Sequence, residues 1–447
     1  MHLLLASLDS AHVDAWTDGV RDQADVVDDP ELPALAIALA ALGDDVTVVT
    51  RRSGARRRGT QVVDAVTVER VVAGPTGRTS AGALIDHVGQ YAEGLGDRIA
   101  AGRPDAVVAM TWVAGLAVRA AVAGTTVACL QRLPDLASAG GPRGVASAES
   151  RGVPSGLASA QRGARAATVL PAKERRTAAA EPAEHPARAR LELAVARAAD
   201  HCLPRSAADA HRLHLLGVPL GRVTVLGPGV SPCPWHEVPP RLSRDPLHVA
   251  VPVAATDRGA VALALAAASR SPRVHLDLQL LGPWETSDLA DISARVDRLG
   301  LHDVVSVTRV SPGDPGWIPA ADVVCLLTGA ADGPAIALHA MACGAPVVAV
   351  AAGALDDVVV DGVTGRTIRE GDLAGLTRAL RELSNDVLRE AMGAAARDRA
   401  RASYGWERLA DTLHRTTEQV LGARSAPGRG ATRTPAAAGR AGGGTPR

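Results

Sequence analysis

The stretch Thr328-Gly329-Ala330-Ala331-Asp332-Gly333-Pro334 leaves an apolar run and enters a segment of helical character, with Asp332 or Gly333 near the N-cap and Pro334 suited to the first helical position. A helix starting there presents unpaired N–H groups and the positive end of its dipole, which favour a phosphate whatever the side chains are. An ordinary capped helix is the plainer reading of the same residues. Arg51, Arg52, Arg56, Arg57 and Arg58 form a basic loop that suits solvent or an anionic acceptor such as a sugar phosphate. His211 and His214 stand three apart on one helical face, but no carboxylate or thiol is spaced to complete a metal site. Gly141-Pro142-Arg143-Gly144 does not follow a strand, so it is not a dinucleotide fingerprint. Cys129, Cys202, Cys233, Cys325 and Cys343 contain no C-x-x-C pair, which argues for buried thiols and against zinc or a disulfide framework.

The elements that must position these residues alternate between strand and helix. Leu3–Ser7 and Val46–Thr50 read as buried parallel strands around a helix over Glu31–Leu42, closed by Gly43. The alternation continues through strand Val66–Val72, helix Ala83–Ala101, strand Ala106–Met110, helix Val113–Val122, strand Thr126–Leu130, helices Arg188–Ala199 and Ala207–Leu216, and strand Arg222–Leu226. A second series follows: strand Leu247–Val253, helix Ala260–Ala268, strand Val274–Leu281, helix Leu289–Leu299, and strands Val304–Val310 and Val323–Leu327. Helix Pro334–Cys343, strand Pro346–Ala351 and helices Leu373–Leu383, Val387–Ala402 and Trp406–Val420 complete it. Such alternation predicts an α/β protein with two Rossmann-like domains facing a cleft. Ligands of open parallel sheets bind at the carboxyl ends of the strands. The expected divisions are an N-terminal domain over 1–230, a proline-rich linker over 231–246, a C-terminal domain over 247–404, a helix over 405–421 and a low-complexity tail over 422–447. A second low-complexity stretch, 138–186, interrupts the first domain.

Composition narrows the function classes. Lys plus Arg and Asp plus Glu are both 48, so no broad basic footprint invites nucleic acid. The longest apolar run, Ala345–Leu355, is too short to span a bilayer, and the first residues lack a basic n-region, so a cytoplasmic protein without a transmembrane segment is expected. The near absence of aromatics, with no Phe and two Tyr, and the abundance of Ala and Arg weaken arguments from residue type alone.

The stretch from Asp332 to Ala349, followed by Asp361-Gly362-Val363-Thr364-Gly365, resembles the donor-site segment of glycosyltransferase family 4. So do Pro228-Gly229-Val230, Arg258-Gly259, Leu299-Gly300-Leu301, Ala320-Ala321-Asp322-Val323-Val324 and Tyr404-Gly405-Trp406-Glu407-Arg408-Leu409-Ala410. A looser match runs through Leu35–Thr50 with Arg51-Arg52, Arg103-Pro104-Asp105, and Glu192 with Ala199-Asp200. The resemblance implies the GT-B fold, a nucleoside-diphosphate sugar held mainly by the C-terminal domain, an acceptor held mainly by the N-terminal one, and transfer with retained anomeric configuration. No metal or other cofactor is expected, because cations and a helix N-terminus would neutralise the leaving diphosphate.

The same resemblance marks departures. The two glutamates that the family places with seven residues between them fall on Ala331 and His339, leaving Asp332 to accept sugar hydroxyls and His339 to bond a ribose hydroxyl. The family's Arg and Lys phosphate pair falls on Val253 and Arg258, which makes Arg258 the remaining phosphate ligand. Pro334 stands where Gly is common and deletes one N–H. The glycine-rich loop falls on Val26-Val27-Asp28-Asp29, and the histidine of the acceptor side on Gln131, followed by Arg132. The donor site is thus expected around Arg258, Asp332, Gly333 and His339, with Gln131 and Arg132 towards the acceptor. Two functions fit: an active transferase, or a GT-B shell kept for binding or regulation after its chemistry was lost.

Overall fold

The computed structural model describes residues 1–9, 11–17, 31–52, 54, 59–75, 84–134, 136, 187–231, 246–253, 257–272, 274–310, 316–329 and 333–425. Its strands are β1 (His2–Ser7), β2 (Asp45–Arg51), β3 (Thr60–Val63), β4 (Val66–Val71), β5 (Ala106–Ala109), β6 (Ala128–Leu133), β7 (His201–Pro204), β8 (Leu247–Pro252), β9 (Leu276–Gly282), β10 (Val305–Arg309), β11 (Val323–Leu326), β12 (Val347–Val350) and β13 (Gly365–Ile368). The helices of the first half are α1 (Ala11–Thr17), α2 (Glu31–Ala41), α3 (Val88–Gly102), α4 (Trp112–Ala121), α5 (Arg188–Ala198) and α6 (Ala207–Leu215). Those of the second half are α7 (Arg258–Ser269), α8 (Thr286–Arg298), α9 (Gly333–Ala342), α10 (Ala354–Val358), α11 (Leu373–Leu383), α12 (Asp386–Tyr404) and α13 (Trp406–Ser425).

The elements form two open sheets. The first has the order β3-β4-β2-β1-β5-β6-β7 and is parallel except for β3, which pairs antiparallel with β4. The second, β10-β9-β8-β11-β12-β13, is parallel throughout. Unbroken apolar strands follow from burial on both faces: Leu3, Leu4, Leu5 and Ala6 of β1 are at most 1% exposed. Each sheet reverses its winding beside its first strand, between β1 and β5 and between β8 and β11. The carboxyl ends on either side of those reversals bound a crevice.

Two crossings join the halves. The segment Leu226–Val230 leads out of the first domain, and the Val230 N–H donates to Tyr404 O at 2.8 Å where the chain returns. Gly229 is required there, because a Cβ would lie 2.2 Å from the Trp406 ring. The Tyr404 hydroxyl donates to Asp357 O (2.7 Å), and the Asp357 carboxylate accepts from the Ala207 N–H (2.7 Å) at the start of α6. Past Gly405 the chain turns back, and α13 places Leu409, Ala410 and Leu413 in the same core as Leu35, Leu39 and Val48. His414 Nδ1 meets Asp44 at 2.8 Å, and Arg424 bonds Asp200 and Thr126 O.

Most expected elements are present, α1, α10 and β13 are additions to them, and several others differ. Thr60–Val63 forms a strand that alternation did not mark, joined to β4 by Asp64 and Ala65 at φ 47° and 65°, a two-residue hairpin turn. His201–Pro204 supplies β7, while Arg222–Leu226 is not a strand: a 3₁₀ turn covers Leu220–Arg222, and Val223 makes a single bridge to Cys202. The helix expected from Ala83 starts at Val88, after a 3₁₀ turn over Ile85–His87. Strand β6 runs to Leu133, three residues beyond the expected end. The final helix extends to Ser425, so the expected tail boundary at 422 falls inside it. The 138–186 stretch, residues 232–245 of the linker and residues 426–447 lie outside the described residues. Among the described residues no helix is long and apolar enough to cross a membrane.

Candidate donor site at the β8–β11 crevice

Two helices begin beside the crevice of the second sheet. The Asp257 carboxylate caps α7 by accepting from the Ala260 N–H at 2.9 Å, which fixes the start of the helix and places Arg258 at its first position. Arg258 is exposed and makes no hydrogen bond or ion pair with any described residue. Val253, which stands where the resemblance puts a cation, is 6% exposed, and its N–H extends the β8–β9 ladder to Leu281 O. This end of β8 therefore offers one cationic side chain.

Helix α9 opens at Gly333, and all ten of its residues are buried. A helix apolar all round is an interior helix, and this one packs between β11, α10 and α12. Gly333 lets α10 approach: a Cβ there would lie 3.3 Å from Leu355 Cδ1. Pro334 contributes no N–H, so the anion-binding capacity of this end rests on the remaining first-turn amides and the dipole. Asp332, like Ala331 and the Val26–Asp29 loop, lies outside the described residues.

His339 is 7% exposed, and its Nδ1 donates to Ala335 O at 2.8 Å. Burial pushes its pKa below the ordinary 6.5, opposed only in part by that bond. The ring is neutral at pH 7, and with the proton on Nδ1 the other nitrogen, Nε2, is an acceptor. His339 can therefore accept a hydroxyl proton, as a carboxylate would, but without charge.

The two acceptor-side expectations are corrected by the length of β6. Gln131 is 0% exposed and donates from Nε2 to Thr111 O (3.1 Å) and Arg132 O (2.7 Å). Its Oε1 is buried without a partner against Gly115, where a Cβ would lie 2.0 Å away. Arg132, also 0% exposed, bonds Glu31, Leu203 O (3.0 Å), Leu226 O and Gly227 O (3.2 Å). Both side chains are interior because the strand carries them into the sheet, and Arg132 ties the start of α2 to the chain that leads between the domains. The basic loop is altered likewise. Arg51 is 2% exposed and bonds Pro75 O, while Arg56, Arg57 and Arg58 lie outside the described residues.

Cys129, Cys202, Cys325 and Cys343 are buried. Burial raises the thiols of Cys129 and Cys325 to about 12 and that of Cys202 to about 11, which removes them as nucleophiles at pH 7.

Sequence reasoning passed over Trp284, two residues past the end of β9. It is 2% exposed, and its indole N–H has no acceptor among the described residues. A Cβ on Gly282 would fall 2.7 Å from Cε2 and Cζ2 of that ring and 2.6 Å from Val253 O. The only signal was a lone tryptophan at a strand end.

With this geometry in view, residues 34–232 match the family model described as Glycosyltransferase Family 4, and residues 249–386 match the model described as Glycosyl transferases group 1. A D-inositol 3-phosphate glycosyltransferase of Kribbella flavida is 32% identical over 263 residues, 54% of this chain and 62% of that one. One from Paenarthrobacter aurescens is 34% identical over 157 residues, 34% of this chain and 38% of its own length. The chain thus spans less than two thirds of these curated relatives. Among solved structures, the sucrose-phosphate synthase of Thermosynechococcus elongatus superposes with a TM-score of 0.66 at 19% identity, covering 95% of this chain and 100% of that one. The Anabaena protein HepE in complex with UDP and glucose gives 0.58 at 16% identity, covering 93% and 99%. Two Rossmann-like domains, each with its crevice, are the GT-B fold, and the two halves of the chain are similar to the Glycosyltransferase Family 4 and Glycosyl transferases group 1 models in turn.

Proposed function

We propose that the protein is a glycosyltransferase that takes a nucleoside-diphosphate sugar in the β8–β11 crevice and transfers the sugar, with retention, to an acceptor hydroxyl. The observation that carries this reading is the pair of helix starts at the winding reversal of the second sheet, one bearing the unpartnered cation Arg258 and the other opening the interior helix of His339. Arg258 and the first turn of α9 neutralise the diphosphate as its bond to the sugar breaks. His339 Nε2 accepts a donor hydroxyl. The HepE complex with UDP and glucose and the transferase names of the curated relatives support this reading over a non-catalytic shell.

Gln131 carries a carboxamide, which takes up no proton, so it supplies no base to the acceptor. The departing phosphate oxygen is then the base at hand. It receives the acceptor proton while the acceptor oxygen bonds the anomeric carbon on the face the phosphate is leaving, which retains the configuration. The names of the curated relatives make a phosphorylated polyol the first acceptor to test.

Thermal unfolding against UDP, GDP, ADP and their sugars tests the donor. A ligand at ten times its Kd adds about 1.4 kcal/mol to the folded state, so one nucleotide is expected to raise Tm saturably. Arg258→Ala is expected to weaken that ligand about 10- to 100-fold, the loss of one charged hydrogen bond. No shift with any of them at several millimolar overturns the reading. The anomeric coupling of a sugar product, read by NMR, checks retention.

A further inference from the structure

We infer that Trp284 is a ligand-contacting residue of the donor crevice, its indole N–H donating to an oxygen of the nucleoside diphosphate; this rests on the donor reading above. Indole N–H groups find an acceptor when they are buried. The one on Trp284, 98% removed from solvent, has none among the described residues.

Its position gives that gap a meaning. Gly282, the last residue of β9, has no Cβ, and the indole edge formed by Cε2 and Cζ2 lies in the space a Cβ would fill. Cε2 is the carbon bonded to Nε1, so the donor edge of the ring rests on the end of β9, beside the Val253 carbonyl where the chain leaves β8. That carbonyl is near but does not take the N–H. The next described residues are Asp257, which caps α7, and the exposed Arg258. An unmet neutral donor, an unpartnered cation and a helix start thus share the carboxyl edge of β8 and β9. Packing in the core with Val251, Val253 and Val261 holds the indole in place, and an oxygen-rich anion seated against that edge meets the first two together.

The test uses the full chain labelled with ¹⁵N-tryptophan. Its six indole signals arise from Trp16, Trp112, Trp235, Trp284, Trp317 and Trp406. The Trp284 signal is the one missing from Trp284→Phe or, if that variant does not fold, the one left unassigned after the other five are replaced in turn. Saturation with whichever of UDP, GDP or ADP binds tightest is expected to move this signal downfield, as a donor gaining an acceptor does. Trp284→Phe is expected to bind that nucleotide about tenfold more weakly, the loss of about 1.4 kcal/mol. An equal loss for inorganic pyrophosphate assigns the acceptor to a phosphate oxygen, and a loss confined to the nucleotide assigns it to the nucleoside. A Trp284 signal that stays in place while the nucleotide saturates, or a Trp284→Phe protein that binds as tightly as the wild type, overturns the inference and leaves the donor reading standing. If the wild-type protein binds none of these probes, both fall together.

Discussion

Arg132 shows how a charged side chain can be essential without touching a ligand. Its guanidinium lies within the first domain, neutralised by Glu31 and bonded to three backbone carbonyls from two segments. Arg132→Met leaves the Glu31 carboxylate buried without its main cation, and a loss of about 3–5 kcal/mol is expected in urea unfolding. Glu31→Gln together with Arg132→Met is expected to lose less than Arg132→Met alone, because no charge is then stranded. His339 predicts a pH dependence. Its folded pKa lies below the ordinary 6.5, so the unfolded chain binds a proton that the folded protein refuses. The stability it contributes is complete above about pH 6.5 and is lost as the pH falls through that value towards the lower folded pKa. His201, lowered by burial and by Arg222, acts in the same direction. His339→Gln is expected to flatten the decline in urea midpoint between pH 7 and pH 5, and an unchanged slope would assign the whole decline to other groups.

At the scale of elements, Gly393 reverses an ordinary rule. Alanine is favoured over glycine inside a helix by about 1 kcal/mol. In α12, however, a Cβ at 393 would lie 2.3 Å from Gly344 O, the carbonyl at the turn that ends α9. Gly393→Ala is therefore expected to destabilise by about 1–3 kcal/mol, and a thermal melt at or above wild type would show that α12 can draw back. The same scale explains what the residues revealed in advance. Strands buried on both faces, such as Leu3–Ser7 and Val347–Val350, announce themselves as apolar runs, and the β8–β11 reversal follows from their alternation with helices. Of the four edge strands, only β10 does. Strand β3 has exposed positions and pairs on one side only, β7 is four residues containing His and Pro, and β13 opens on Gly and Arg. The β-branched Val223-Thr224-Val225 looks like a strand but has only a bridge to pair with. The helix starts at the carboxyl edge of the second sheet were legible, because Gly333-Pro334 and Asp257 are residues that begin helices. The site was misread at Gln131 and Arg132, because polar residues in a strand resemble the residues beyond its end. Trp284 was invisible, since an unmet N–H is a property of packing and has no signature in the chain.

At the scale of the molecule, the last helix belongs to the first domain's interior. Leu413 is fully buried with Leu35, Leu39 and Val48, and the His414 hydrogen bond to Asp44 and the Arg424–Asp200 ion pair fasten the middle and the C-terminal end of α13 to the same domain. Leu413→Ala is expected to cost about 2–5 kcal/mol. Hydrogen exchange is expected to place the loss in β1, β2 and α2, with the second sheet unaffected; equal deprotection of both sheets would show that the domains unfold as one. The helix also sets an order of events during synthesis. Domains generally fold as they emerge, at about 5–20 residues per second, but the face of this first domain that holds Leu35 and Leu39 stays open until the chain has passed residue 413. For roughly 10–40 s at that rate, the nascent N-terminal half carries an uncovered apolar surface while the whole second domain is still being made, and this is the interval in which a chaperone would find it.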